Sequence, residues 1–110
     1  MTVEEVIALA CALRPNELGE DTLTALLEDL ECHLSVEIRG EPPCCRAVKP
    51  KQLSVPAPYD KVYWTYLVSM IDLATGNTAL YPLSAALYKE ALDTYARWHQ
   101  RTVGQGGKGV

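Results

Sequence analysis

The stretch from Tyr59 to Thr75 most narrows what this chain can become. Tyr59, Val62, Tyr63, Tyr66, Leu67, Met70, Ile71 and Leu73 recur at helical spacing and cover most of a helix circumference. Only a narrow strip of Lys61, Thr65, Ser69 and Asp72 is polar. A helix apolar on most sides is surrounded by other elements. Residues 59–75 therefore read as the central helix, ended by Gly76, and the rest of the chain has to supply its cover. At 110 residues the chain has length for one such core and no second.

The cover reads as helical too. Thr2 followed by Glu5 is a capping-box pattern. Val3, Val6, Ile7, Ala10 and Leu13 then share one face, which predicts a helix over 2–14 stopped by Pro15. A second helix is expected over 21–39, capped by Asp21 or Thr22. Its stripe is Leu23, Leu26, Leu27, Leu30, Leu34 and Ile38, and Gly40 ends it. Pro82 suits the first turn of a last helix running to about Thr102. There Leu83, Leu87, Ala91, Tyr95 and Trp98 line one face, opposite Lys89, Asp93, Arg97 and Gln100.

Between the second and central helices the pattern breaks. Pro42, Pro43, Pro50, Pro56 and Pro58 exclude an interior helix over about 40–58. Such a long connection is uncommon in a small domain and usually carries function or mobility. It also reads as an extended strap pinned by Leu53 and Val55. The fold class is all-α: a small bundle of about four helices with a long Pro-rich loop (about 40–58) and a C-terminal helical hairpin. Residues 1–102 form a single helical domain, and the glycine-bearing residues 103–110 form a disordered tail. Leu30, Leu34, Tyr63, Leu67, Met70, Ile71, Leu87 and Ala91 are the expected core.

Charge and motifs exclude several function classes. Ten basic against fourteen acidic residues give a net charge of −4, unsuited to gripping phosphates, so sequence-specific nucleic-acid binding is not expected. No apolar run approaches the ~18 residues of a membrane span, and the acidic opening Met-Thr-Val-Glu-Glu-Val does not read as a secretory signal. Glycine-rich phosphate loops, His-Glu-x-x-His and Gly-x-Ser-x-Gly are all missing, so no enzyme, cofactor or catalytic residue is predicted. Cys11, Cys32, Cys44 and Cys45 contain no Cys-x-x-Cys pair. A zinc or redox site from Cys32, His33, Cys44 and Cys45 is the sharper reading. Reduced thiols, with Cys11 and Cys32 as small apolar helix residues, are the expectation.

The aromatic residues form the remaining signal. Tyr59, Tyr63, Trp64, Tyr66, Tyr81, Tyr88, Tyr95 and Trp98 all fall within 59–98, and there is no Phe. Tyr and Trp suit surfaces where a ring packs and its polar tip stays wet, and they are enriched at protein interfaces. Ala25, Cys32 and Val36 lie opposite the main stripe of the second helix and make a second candidate contact face.

The order of short motifs in the second half adds a resemblance. Ala57-Pro58-Tyr59-Asp60-Lys61-Val62-Tyr63 leads into Ile71-Asp72-Leu73-Ala74-Thr75-Gly76. Leu80-Tyr81-Pro82 and Trp98-His99-Gln100-Arg101-Thr102 follow. Over residues 55–102 this resembles the head–tail connector (head-completion, neck adaptor) proteins of long-tailed bacteriophages and prophages. Tyr81-Pro82 stands where those chains often have Tyr-Asn, and tyrosine or leucine where the last helix often has Phe. The resemblance implies a structural subunit that self-associates into a ring below the portal protein, extends the DNA channel and meets other neck or tail proteins. It implies residence in the host cytoplasm during assembly and then at the virion's head–tail junction. The candidate assembly contacts are Arg46, Lys49 and Lys51 in the strap, Ala25 and Val36, Trp64, and Arg97 and Arg101. The alternative is a small helical adaptor or regulatory protein that binds one protein partner through its Tyr/Trp surface.

Overall fold

The computed structural model describes residues 2–40, 53 and 55–108, with side chains through Thr102. Among the described residues there are four helices: α1 (Val3–Leu13), α2 (Glu20–Glu37), α3 (Lys61–Ala74) and α4 (Tyr81–Lys108). The all-α expectation holds, and so does the central role of α3. It packs against α1, α2 and α4, whereas α4 packs against no other helix among the described residues.

Local chemistry sets most boundaries. Thr2 caps α1 through a full capping box: its Oγ1 accepts from the Glu5 N–H at 3.1 Å, and Glu5 Oε1 accepts from the Thr2 N–H at 2.8 Å. That backbone bond holds the Glu5 carboxyl below its ordinary value. Asn16 forms the turn after α1, with Oδ1 accepting from the Leu18 N–H and Nδ2 donating to the Arg14 carbonyl. α2 begins earlier than expected. Its N-cap is Gly19, not Asp21 or Thr22, and makes no side-chain cap. Glu20 and Asp21 instead lie in the first turn, where the helix dipole favours negative charge.

α3 ends in a Schellman motif. The Asn77 N–H donates to the Asp72 carbonyl and the Gly76 N–H to that of Leu73, with Gly76 at φ +73°. Asn77 then starts the next turn, its Oδ1 accepting from the Leu80 N–H. α4 runs past the expected end at Thr102 to Lys108, into the glycine-bearing stretch read as a tail. Each added residue gains a backbone hydrogen bond, and glycine costs only about 1 kcal/mol against it.

The core joins Val6, Ile7 and Ala10 of α1 to Leu23, Leu27, Leu30 and Leu34 of α2. Val62, Tyr63, Leu67, Val68 and Ile71 of α3 meet them at the centre. Leu53 and Val55 are buried in the same core, as the strap reading required. Tyr63 is fully buried, donates its hydroxyl hydrogen to Glu31 Oε1 and accepts from the Val55 N–H at 2.9 Å. One ring thereby ties α2 and α3 to the backbone at Val55.

The polar strip of α3 is largely buried: Thr65, Ser69 and Asp72 are all enclosed. Thr65 and Ser69 donate to carbonyls of their own helix, which removes the cost of burying their hydroxyls. Asp72, 1% exposed, accepts from Arg14 Nε at 2.9 Å through Oδ1 and from Ser84 Oγ at 2.8 Å through Oδ2. The expected core position Leu87 is 54% exposed, and Met70 and Ala91 are only half-buried. Ser84 and Tyr95 supply the buried positions of α4 instead. The close Asp72–Ser84 bond rotates α4 so that part of its leucine stripe faces outward.

Asp72→Ala removes the ion-pair partner of Arg14, while Ser84 keeps the Leu80 and Tyr81 carbonyls as acceptors, and is expected to cost about 3 kcal/mol. Ser84→Ala leaves the Arg14 ion pair in place and is expected to cost about 1 kcal/mol. Urea unfolding of the two variants checks both values and their order.

Candidate protein-docking surface

A cleft of about 340 Å³ opens along one flank of the α3–α4 pair. Pro58, Tyr59 and Trp64 form its α3 side, and Leu87, Ala91 and Thr94 its α4 side. Thr65 also lines it, and its charges are Lys61 on one helix and Glu90 on the other. The helical period places Lys61, Trp64 and Thr65 together, and likewise Leu87, Glu90, Ala91 and Thr94. Two antiparallel helices thus make two walls from ordinary i, i+3, i+4 spacing.

An aromatic stack closes one end. The Tyr59 and Trp98 rings lie 4.9 Å apart at an interplanar angle of 23°. Tyr95, buried, packs on Trp98 at 6.0 Å and on His99 at 6.1 Å. These contacts hold the start of α3 against the middle of α4 and fix Tyr59 as a rigid cleft wall. Offset aromatic pairs of this kind contribute about 1 kcal/mol beyond their buried area.

A second aromatic pair, Tyr66 and Tyr88, has ring centroids 5.1 Å apart, tilted by 57°. Burial pushes the Tyr66 phenol above its ordinary value, and the charge of Asp29 adds to it. Burial likewise raises Tyr88, with Tyr66 contributing. Both shifts favour neutral hydroxyls at this end of the α3–α4 seam.

The candidate contacts of the sequence are dispersed by the structure. Trp64, half-buried, is the one that lines the cleft. Arg97 is ion-paired with Asp93 at 3.0 Å, both well exposed, and Arg101 is exposed beyond it. Such a pair is worth a few tenths of a kcal/mol. Ala25 is exposed and Val36 half-buried on α2, but Cys32 between them is disulfide-bonded. The expectation of reduced thiols fails at that position, and the small apolar patch is divided by the bridge. Cys11 is a free thiol. Arg46, Lys49, Lys51, Cys44 and Cys45 lie outside the described residues. Among the described residues no group of His, Cys, Asp and Glu could hold a metal ion, and no helix is long and apolar enough to cross a membrane.

Sequence reasoning named Trp64, Leu87 and Ala91 but not their meeting. The signal available for it was the pairing of Trp64 with Lys61 on one helix face and of Leu87 with Ala91 on another. Which flanks meet depends on the Asp72–Ser84 register, which no spacing encodes. No family model matches this chain, and neither does any curated protein or solved structure.

Unfolded tyrosines ionise near pH 10. Tyr66 and Tyr88 stay protonated higher in the folded chain. The folded form then holds more protons, so stability falls as pH rises above about 10. Urea midpoints across that range are expected to fall for the natural chain and to fall less for a Tyr66→Phe, Tyr88→Phe variant.

Proposed function

We propose that this chain is a small helical adaptor that binds a protein partner through the cleft between α3 and α4. The observation that carries this is the outward-facing Leu87, 54% exposed, set beside Tyr59, Trp64 and Ala91 in one concave surface. Burying such a surface favours association, and Trp and Tyr held in pockets dominate binding energies where they occur. Lys61 and Glu90 give the cleft a charge of each sign, which orients a partner without attracting polyanions.

A second reading, the head–tail connector subunit, is favoured by the motif order over residues 55–102. In that reading the partners are the portal protein and neighbouring neck or tail proteins, and copies of the chain join into a ring at the head–tail junction. A closed ring built head-to-tail needs two different surfaces per subunit. The α3–α4 cleft is one, and the exposed end of α4 with Arg97 and Arg101 supplies the other. The α3–α4 pair would be an assembly element in that reading.

Trp64→Ala and Leu87→Glu test the shared claim. Both positions are partly or largely exposed, so helicity and thermal midpoint are expected to stay near natural values. Loss of co-purifying partner is expected at tenfold or more, the scale of one interfacial hot spot. Undiminished partner recovery with both variants would remove the cleft as the binding surface. Quantitative mass spectrometry of purified particles from an induced source strain separates the two readings. Detection at a fixed ratio to the portal protein supports the connector. Abundance in the lysate with absence from particles supports the adaptor.

A further inference from the structure

The cleft between α3 and α4 carries two opposite charges that do not meet. Lys61 and Glu90 line its facing walls, and both are exposed. Neither side chain makes an ion pair or a hydrogen bond among the described residues. Their spacing follows from the register of the two helices. Tyr66 stands against Tyr88 and Tyr59 against Trp98, while Asp72 bonds Ser84. On that register Glu90 is level with Thr65, which lies one turn along α3 from Lys61. The two charges are therefore about 6 Å apart along the seam as well as on different helices. Trp64 and Ala91 line the cleft at levels between them. A volume of about 340 Å³ is at the small end for a binding pocket, with room for one or two side chains.

We propose that the occupant is a short helical segment of a partner protein, with one apolar side chain flanked by an acidic and a basic residue one helical turn apart. This rests on reading the cleft as a protein-docking surface and states the chemistry of what docks there. The acidic residue meets Lys61, the basic residue meets Glu90, and the apolar side chain enters between Trp64 and Ala91. Positions four apart on a helix share a face, so one turn of the segment presents both charges at the spacing the cleft sets. A segment with two acids would bring one of them to Glu90, and a segment with two bases would bring one to Lys61. Each like-charge meeting selects against that segment, so the pair of charges acts as a filter for mixed charge. An uncharged segment forgoes both pairs, each worth about threefold in affinity at an exposed position.

Labelled synthetic helical peptides serve as probes of the full chain, with binding read by fluorescence anisotropy. All carry one leucine on the face of two charged positions four apart. Those positions hold Glu then Lys, Lys then Glu, two Glu, or two Lys. One of the two mixed orders is expected to bind about tenfold more tightly than either same-charge peptide, one pair being replaced by a repulsion. Lys61→Glu is expected to weaken the mixed peptide and to make the two-Lys peptide the tightest. Glu90→Lys is expected to do the same for the two-Glu peptide. Both variants keep the fold: the first turn of α3 holds no acidic residue and its dipole favours one, and a lysine at 90 lies three residues before Asp93. A same-charge peptide that binds the natural chain as tightly as both mixed orders would overturn the proposal. So would mixed-peptide binding that neither substitution changes, or no peptide binding at millimolar concentration. Should the proposal fall while Trp64→Ala still loses the co-purifying partner, the docking surface stands and its filter is not mixed charge. Should Trp64→Ala also keep that partner, the docking reading falls with it.

Discussion

The buried carboxylate of Asp72 is the constraint on which the arrangement of helices depends. A carboxylate at 1% exposure is unstable in an apolar interior unless both oxygens are satisfied. Here one oxygen takes Arg14 from the end of α1 and the other takes Ser84 from the start of α4. Two elements far apart in sequence are thereby brought to one point near the end of α3. Hydrophobic burial brings helices together without fixing their rotation. A pair of short, directional bonds at a single carboxylate does fix it, because a roll of α1 would unpair Arg14 and a roll of α4 would leave a buried carboxylate oxygen without its donor.

Tyr63 does the equivalent at the other side of α3. Its ring fills the core while its hydroxyl serves Glu31 of α2 and the Val55 amide. The two polar centres lie more than two helical turns apart along α3, so the central helix is held near both ends. Between them the contacts are largely apolar, with Leu67 and Val68 buried in the core. Thr65 and Ser69 keep their hydroxyls on their own helix and present small surfaces to α4. That lets α3 and α4 approach closely, which is why their flanks meet as a cleft and not as a level surface.

The outward turn of Leu83 and Leu87 is a consequence of the same geometry. With Ser84 and Tyr95 directed to α3, Leu83 and Leu87 on the flank of α4 stay exposed, and among the described residues no helix but α3 packs on α4. Exposed leucines lower solubility and are costly unless something covers them at least part of the time. The functional reading therefore comes from a packing preference of polar atoms. The helix is oriented by a hydrogen bond, and its apolar stripe becomes available to another protein.

Much of this protein was determined by its sequence alone. The number of helices, the capping box at Thr2, the stop at Gly76, the core stripe of α2 and the central place of α3 follow from local hydrogen bonding and 3.6-residue periodicity. These need no knowledge of distant contacts. The aromatic cluster and Trp64 were legible for the same reason, as composition confined to one region. The tertiary structure decided which way the polar strip of α3 faces, because a strip of Thr, Ser and Asp is equally stable in water or against matching partners. It decided that Leu87 is surface while Ser84 is core, which reverses what hydrophobicity predicts. It also decided that Cys32 is bridged, since the approach of two thiols depends on the path of the chain between them. Periodicity states which residues share a face, and only the partners of Asp72 determine what that face meets.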